Sequence, residues 1–309
     1  MSSQSLRAII DLGTNTFHLL IAAVEEGERV REVYRERVFV KLASDGIETI
    51  GPGPFERGME TLRYFAELIK GHEVEQVTAI GTAALRTASN GEVFVRRAEL
   101  ETGIVIRLIP GDLEAELITR GVLAALPPLE DRILIMDIGG GSTEFILASE
   151  AGVHWRQSFP IGVAVLQRRF HQTDPISEEE IRALDEHLAR TLVPLRDMLE
   201  EYPTQHLVGA AGTFDVLAEI LRDPDATVHP TGQRLKLDRL EELHFQIVAS
   251  TAEQRLAIDG VPAERADLIV VAMLLIRYVM EIGDIRRITV SEYAMKEGIL
   301  LGTEGLPTV

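Results

Sequence analysis

Apolar residues fall in short blocks along the chain, punctuated by glycine, proline and polar clusters. Leu6 to Val24 reads LRAIIDLGTNTFHLLIAAV: an apolar run, an Asp, a glycine followed by polar residues, and a second apolar run. Ile133 to Ala148 reads ILIMDIGGGSTEFILA and repeats that plan. Asp11 aligns with Asp137, Gly13 with Gly139, and Thr16 with Ser142. Strand, tight glycine turn, strand predicts a β-hairpin in each half of the chain.

The remaining pattern alternates. Val77 to Gly81 predicts a short strand, Ser89 to Thr102 a helix, and Ile104 to Ile109 a strand. A helix over Asp112 to Leu126 opens at Gly111 and stops at Pro127-Pro128. That proline pair, with Leu129 to Arg132, marks a domain boundary, giving domains 1–126 and 127–296. In the second half, Ser177 and Glu180 form a capping box for a helix reaching about Tyr202. Gln205 to Val208 predicts a strand entering Gly209-Ala-Ala-Gly-Thr213, then a helix to Leu221. Arg222 to Gln233 reads as a polar loop. Helices follow over Leu237 to Ala249 and Ala263 to Glu281, whose Met273 and neighbours read as core. A strand over Arg287 to Val290 precedes a helix over Ala294 to Leu301. Strands alternating with helices, each set starting from a hairpin, predict two α/β domains of like plan.

Length agrees, since 309 residues exceed one ordinary core. The chain has no cysteine, which excludes disulfides, thiolate catalysis and cysteine zinc sites. The apolar start is broken at Asp11 and does not read as a signal peptide. The longest apolar stretch, Ile269 to Ile276, is far too short to cross a bilayer. These features predict a cytoplasmic protein with no membrane partner. A net charge of −18 argues against nucleic acid as a partner. It would also repel a polyanionic substrate, so any such site must supply local positive charge.

The two turns carry the candidate chemistry. Around Gly13 the backbone N–H groups can form an anion nest, and Thr14, Asn15 and Thr16 add side-chain donors. An Asp at the strand end, Asp11, can hold a hydrated Mg²⁺, which keeps most of its waters and needs few carboxylates. One such turn alone is more simply a capped hairpin. The second, with Gly139, Gly140 and Gly141 before the hydroxyls Ser142 and Thr143, is costly for a mere turn, because glycine loses the most entropy on ordering. Together they predict a clamp on successive phosphates. Gly209 to Thr213, with Gly212 and Thr213 at its end, is a third small-residue turn suited to close approach of a ligand.

This arrangement resembles the actin, sugar kinase and heat-shock ATPase superfamily. Within it, the chain resembles the exopolyphosphatase and guanosine pentaphosphate phosphatase family. The resemblance rests on AIIDLGTNTFHLLIA, GTAALRTASN (Gly81 to Asn90), IPGDLEAELI (Ile109 to Ile118), DIGGGSTE and SEYAMKEGIL (Ser291 to Leu300), in that order over about residues 6 to 302. It implies two ribonuclease H-like domains flanking a cleft, with a closing helix over about 297–309 packed back on the first domain. It implies that Glu114 activates an attacking water. It implies that Asp137 and Glu144 hold the metal, Mg²⁺ or another divalent cation such as Mn²⁺, with Asp11 near it. Asn15, Arg86, Ser142 and the glycines of both turns would bind phosphate oxygens. Glu114 has a plainer reading as a first-turn acid meeting the helix dipole, Arg86 one as a surface arginine, and His18 reads as a buried, satisfied histidine.

The chain departs from the family at several positions. Thr14 and Thr16 replace the usual serines and keep the hydroxyl. Leu113 stands where many members place a second acid, and Lys296 where arginine is common. The chain ends at Val309, soon after the closing motif, like the short two-domain members. The expected substrates are inorganic polyphosphate or guanosine pentaphosphate, and a homodimer is left open. An actin-like kinase or a non-catalytic nucleotide sensor are the competing readings. A Walker loop, a His-Glu-x-x-His site and a Gly-x-Ser-x-Gly elbow are all absent from the sequence.

Overall fold

The structure is a computed structural model, and it describes residues 5–25, 29–221, 227–229 and 231–302. The chain divides into two compact units. One comprises the described residues of 1–124 and 294–309, and the other spans residues 125–293.

The first unit is built on a mixed five-stranded sheet. Strands β1 (Arg7–Leu12) and β2 (Thr16–Glu25) form the hairpin expected from the sequence, and β3 (Arg29–Phe39) continues it antiparallel. Strands β4 (Gln76–Gly81) and β5 (Ile106–Leu108) add in parallel, giving the order β3-β2-β1-β4-β5. Helices α1 (Pro52–Gly71) and α3 (Gly91–Thr102) supply Met59, Leu62, Phe65, Phe94 and Ala98 to a core shared with Ile10, Leu12, Phe17, Leu19 and Ile21 of the hairpin. A buried side chain of this size contributes roughly 1.5–3 kcal/mol. The predicted helix over Ser89 to Thr102 starts at Gly91, and the short α2 (Ala83–Thr87) precedes it. The break has a local cause: Gly91 sits against the Leu85 carbonyl, where an added Cβ would lie 1.9 Å from the oxygen.

Helix α4 (Gly111–Ala125) follows β5, and α12 (Met295–Leu300) closes the unit. The two helices cross at glycines. A Cβ on Gly121 would lie 1.9 Å from the Ala294 carbonyl oxygen, and one on Gly298 would lie 1.9 Å from that of Leu117. Only backbone-to-backbone contact fits there. Helix α12 packs on β1, and Arg7 Nη1 donates to the Leu300 carbonyl at 2.8 Å. Residues 303–309, the end of the predicted closing helix, lie outside the described residues.

The second unit carries a seven-stranded sheet. Its strands are β6 (Ile133–Ile138), β7 (Thr143–Ser149), β8 (Gly152–Phe159), β9 (His206–Ala210), β10 (Thr227–His229), β11 (Gly232–Leu235) and β12 (Arg287–Ser291). Their order is β10-β11-β12-β9-β6-β7-β8. The run β8-β7-β6-β9-β12 repeats the order of the first sheet, with the same parallel and antiparallel senses for β6, β7, β8 and β9. Helices α5 (Val163–Phe170), α6 (Glu178–Thr191), α7 (Val193–Glu201), α8 (Gly212–Ile220), α9 (Leu237–Val248) and α11 (Ile269–Ile282) enclose its core, and the short α10 (Ala252–Leu256) joins two of them. Met273 is buried there, as its sequence context predicts.

Three expectations are corrected. The helix from Ser177 to Tyr202 is two helices, because Pro194 lacks an N–H at the start of α7 and the chain turns at Leu192. Its capping box is present: Ser177 N donates to Glu180 Oε2 at 2.9 Å, and Glu180 N to Ser177 Oγ at 3.3 Å. The helix expected from Ala263 is a 3₁₀ turn over Ala263–Arg265, and α11 begins at Ile269. Buried Arg255 explains the gap, since its Nε takes the Ala266 carbonyl at 2.6 Å. The polar loop Arg222 to Gln233 contains β10 and the start of β11, which pairs with β12 from Gly232↔Ser291. Tertiary pairing there overrides polar composition. Residues 222–226 and 230 of that loop lie outside the described residues.

His206, on β9, is hydrogen-bonded to Thr289 Oγ1 at 2.9 Å. Burial, and then the charges of Arg287 and Arg234, hold its pKa down to about 4. The unfolded chain therefore takes up a proton below about pH 6.5 that the folded protein refuses until about pH 4. This contribution to stability is complete above pH 6.5 and is lost as pH falls toward 4. Urea unfolding of wild type and His206→Gln at pH 7 and pH 5 should show wild type losing more stability than the variant. Equal losses would refute the assignment.

Candidate active site

In the first unit, β1, β4 and β5 run parallel, so the segments that follow them gather along one edge of the sheet. Ligands characteristically bind at such edges. The turn after β1 is loop 1. Gly13 N donates to the Thr16 carbonyl at 3.0 Å, and a Cβ on Gly13 would lie 2.9 Å from that oxygen. The outer side of the loop is braced by Lys41 N on the Asn15 carbonyl (2.9 Å) and Leu42 N on that of Thr14 (2.8 Å). Thr14 and Thr16 are buried and Asn15 is half-buried. Thr14 Oγ1 is buried with no hydrogen-bond partner among the described residues. A buried hydroxyl without a partner is costly and suits a site awaiting an oxygen ligand.

After β4 the chain enters α2 and places Arg86; after β5 it enters α4 and places Glu114. Arg86 Nη1 donates to the Ile109 carbonyl and lies 3.4 Å from Glu114 Oε2. Two acids occupy the first turn of α4: Asp112 is exposed, while Glu114 is 7% exposed. An acid serving only the helix dipole would face water, as Asp112 does. Burying a carboxylate is costly unless a partner compensates it. The plain readings of both residues are thereby weakened, because the cation and the carboxylate meet each other.

Asp11 is also in this unit, on β1 opposite His18. Burial pushes its carboxyl up to about 6; the nearby Lys296 ammonium pulls down and Glu297 adds to the rise. Glu297 is tied elsewhere, to Arg35 Nη2 (3.0 Å) and to its own helix start at Ala294 N (2.9 Å). His18 is half-buried.

The second unit repeats the construction. Gly139 N donates to the Ser142 carbonyl at 3.0 Å, and a Cβ on Gly139 would lie 3.0 Å from that oxygen. This turn is loop 2, comprising Gly139, Gly140, Gly141, Ser142 and Thr143. The segment after β8 clasps it. Thr143 Oγ1 donates to the Ile161 carbonyl at 3.1 Å, Val163 N to that of Gly139 at 3.0 Å, and Ala164 N to that of Gly140 at 2.9 Å. Gly162 lies on the Gly140–Gly141 peptide, where a Cβ would come within 2.3 Å of the Gly140 carbonyl carbon. Asp137 and Glu144 are register partners on β6 and β7, and so share one face of the sheet. They are 7% and 1% exposed.

The third turn follows β9. Ala211 adopts φ 61 and ψ 179, a conformation that strongly favours glycine and costs about 1–3 kcal/mol in other residues. Gly212 and Thr213 begin α8. The Arg265 guanidinium rests on Gly212, leaving 2.2 Å between its Nη2 and an added Cβ. Arg265 was not legible as a site residue, since it sits 52 positions after Thr213 with no motif around it. Ser158, on β8 beside Glu144 in register, likewise lies outside every sequence motif.

The structure thus brings Arg86 to Glu114, and Asp137 to Glu144. Asp11 belongs to the first unit, and among the described residues no group of three or more His, Cys, Asp or Glu side chains is arranged to hold a metal ion. Two buried carboxylates side by side remain a fitting hard-oxygen donor set for a Mg²⁺-type cation, which takes one or two carboxylates and fills its shell with water and phosphate oxygens. No described helix is long and apolar enough to cross a membrane.

Comparison with known proteins agrees with this geometry. The model of the Ppx/GppA phosphatase family matches residues 20–306. The crystal structure of an exopolyphosphatase from Cytophaga hutchinsonii is similar with a TM-score of 0.89 and 39% identity, covering 96% of each chain. The crystal structure of the Ppx/GppA family member of Aquifex aeolicus is similar with a TM-score of 0.77 and 26% identity, again covering 96% of each chain.

The clasp on loop 2 can be tested by substitution. Gly162→Ala should destabilise the protein by roughly 1–3 kcal/mol, because its methyl meets backbone that cannot swing away. Gly71→Ala, at a helical glycine with open space around it, should be neutral or stabilising. Urea midpoints compare the two; a harmless Gly162→Ala would refute the close packing.

Proposed function

Because this chain belongs to the Ppx/GppA phosphatase family, we propose that it is an exopolyphosphatase, a hydrolase that removes terminal orthophosphate from inorganic polyphosphate. The observation that carries the proposal is the buried Glu114 carboxylate, at the sheet edge that also holds loop 1, with Arg86 3.4 Å away. The similarity to the Cytophaga hutchinsonii exopolyphosphatase supports polyphosphate as the first substrate to test.

Phosphoryl transfer to water needs an in-line nucleophile and neutralisation of charge on the phosphoryl oxygens, with little covalent work by the protein. Glu114 orients the water and accepts its proton as the oxygen attacks the terminal phosphorus. The P–O bond to the next phosphate then breaks. The shortened chain leaves with the electron pair, and orthophosphate is released. Arg86 binds phosphoryl oxygens through its planar donors and holds Glu114 in place. Thr14, Asn15 and Thr16 of loop 1 bind phosphate oxygens, while Gly13, expected to do so too, has its amide spent on the Thr16 carbonyl and shapes the turn instead. In the second unit Gly140, Gly141, Ser142 and Thr143 of loop 2, and Gly212 with Thr213, have the same anion-binding role, and Gly139 is spent on the Ser142 carbonyl in the same way. The unpartnered Thr14 hydroxyl supports that role for loop 1. Asp137 and Glu144 would hold the divalent cation, Mg²⁺ or Mn²⁺; Asp11, the third expected ligand, lies at the equivalent position of the first unit's hairpin. The bound cation supplies charge neutralisation on phosphate oxygens. In a chain of net charge −18, these groups provide the local positive potential a polyanion requires.

Removal of the terminal 5′ phosphate of guanosine pentaphosphate uses the same groups and is the second reading. Phosphate release from polyphosphate, guanosine pentaphosphate and ATP separates the two. We expect polyphosphate to give the highest kcat/KM; a preference for the pentaphosphate would shift the assignment to the nucleotide. Glu114→Gln should fold normally and lose roughly 100- to 10,000-fold in kcat. Wild-type rates in that variant would remove Glu114 from its role.

A further inference from the structure

Asp137, Glu144 and Ser158 form one row across three neighbouring strands. Asp137 pairs with Glu144 between β6 and β7, and Glu144 pairs with Ser158 between β7 and β8. Paired residues project from the same face of a sheet. Ser158 Oγ donates to Glu144 Oε1 at 2.6 Å. That length is typical of a hydroxyl bonded to an ionised carboxylate, about 2.5–2.7 Å, the stronger class of hydrogen bond. Glu144 is 1% exposed, so protein groups rather than bulk water set the rotation of its carboxylate.

We propose that Ser158 is a positioning residue for the cation site: its hydroxyl fixes the rotation of the Glu144 carboxylate, so that Glu144 and Asp137 present a preset pair of oxygens to a divalent cation. The proposal rests on the reading of Glu144 as a cation ligand. Partners that orient a ligand from behind commonly tune metal affinity.

The first unit provides an internal comparison. Its equivalent row is Asp11 on β1, His18 on β2 and Arg37 on β3. The hairpin and its glycine turn form there with a histidine and an arginine in place of the glutamate and the serine. The carboxylate–hydroxyl pair is therefore not required to build this hairpin. Its presence only in the second unit points to a task beyond folding. The clasp supports the same conclusion, because Ser158 stands at the head of the segment that grips loop 2 through Ile161, Gly162, Val163 and Ala164. One stretch of chain sets both the loop and the carboxylate beside it.

The test measures Mn²⁺ binding to the substrate-free protein by electron paramagnetic resonance, alongside the Mn²⁺ dependence of phosphate release. Ser158→Ala should weaken Mn²⁺ binding roughly 10-fold and raise the half-activating concentration in parallel, with kcat at saturating cation little changed. Ser158→Thr, which keeps the hydroxyl, should restore both. Ser158→Cys keeps the volume but is a weaker donor and should fall between, providing a second measure if the alanine variant folds poorly. Glu144→Gln separates the two layers of the argument. If Glu144→Gln weakens Mn²⁺ binding while Ser158→Ala and Ser158→Cys bind like wild type, the role of Ser158 is overturned and that of Glu144 stands. If Glu144→Gln itself binds Mn²⁺ like wild type, the ligand assignment fails and the inference falls with it.

Discussion

A glycine amide bonded to the carbonyl three residues ahead, with no room for a Cβ between them, is the constraint from which both halves of the molecule follow. It occurs at Gly13 and again at Gly139, each time at 3.0 Å. The bond folds the chain back within four residues, so the strand before it and the strand after it must pair. That pairing sets the register, and the register decides which side chains share a face. Asp11 then faces His18, and Asp137 faces Glu144. Any larger residue at the glycine would press on the carbonyl and open the turn.

The second layer of order comes from parallel strands. In the first unit, loop 1, Arg86 and Glu114 follow β1, β4 and β5, and in the second, loop 2 and the Gly212 turn follow β6 and β9. Residues far apart in sequence therefore collect at one edge without any direct bond bringing them there. Chemistry is then a matter of burial and partners. Glu114 and Asp112 sit in the same first turn, yet only Glu114 is buried and paired with an arginine. In the first unit Arg86 and the turn amides stand at one sheet edge of a chain whose overall charge is strongly negative.

Much of this was legible in the sequence. The duplicated hairpins and the α/β plan could be read because each has a local signature, a glycine turn and an alternation; Arg86 and Glu114 were singled out by resemblance alone, and their meeting at 3.4 Å depends on the fold. What escaped depends on distant partners. Polar composition concealed β10 and β11, whose strand character comes from pairing with β12. The break before α11 depends on Arg255 taking a carbonyl from the Ala266 end. Ser158 and Arg265 lie outside any motif and gain meaning only when the chain folds them against Glu144 and Gly212. Pro194, by contrast, is a local signal, since a residue without an N–H splits an otherwise continuous helical pattern at the start of α7.

The glycine crossing of α4 and α12 bears on how the protein is made. The first unit takes its closing helix from the far end of the chain, after the whole second unit has been threaded through. Residues 125–293 are made between the two segments of the first unit, so α12 is the last described element to leave the ribosome. Until then β1 lacks the helix that packs on it, and the apolar residues it carries wait uncovered. Synthesis order thus makes the amino-terminal unit the last to mature, which is the reverse of the usual vectorial order. A chain stopped at about Ala294 would carry one finished body tethered to one unfinished one.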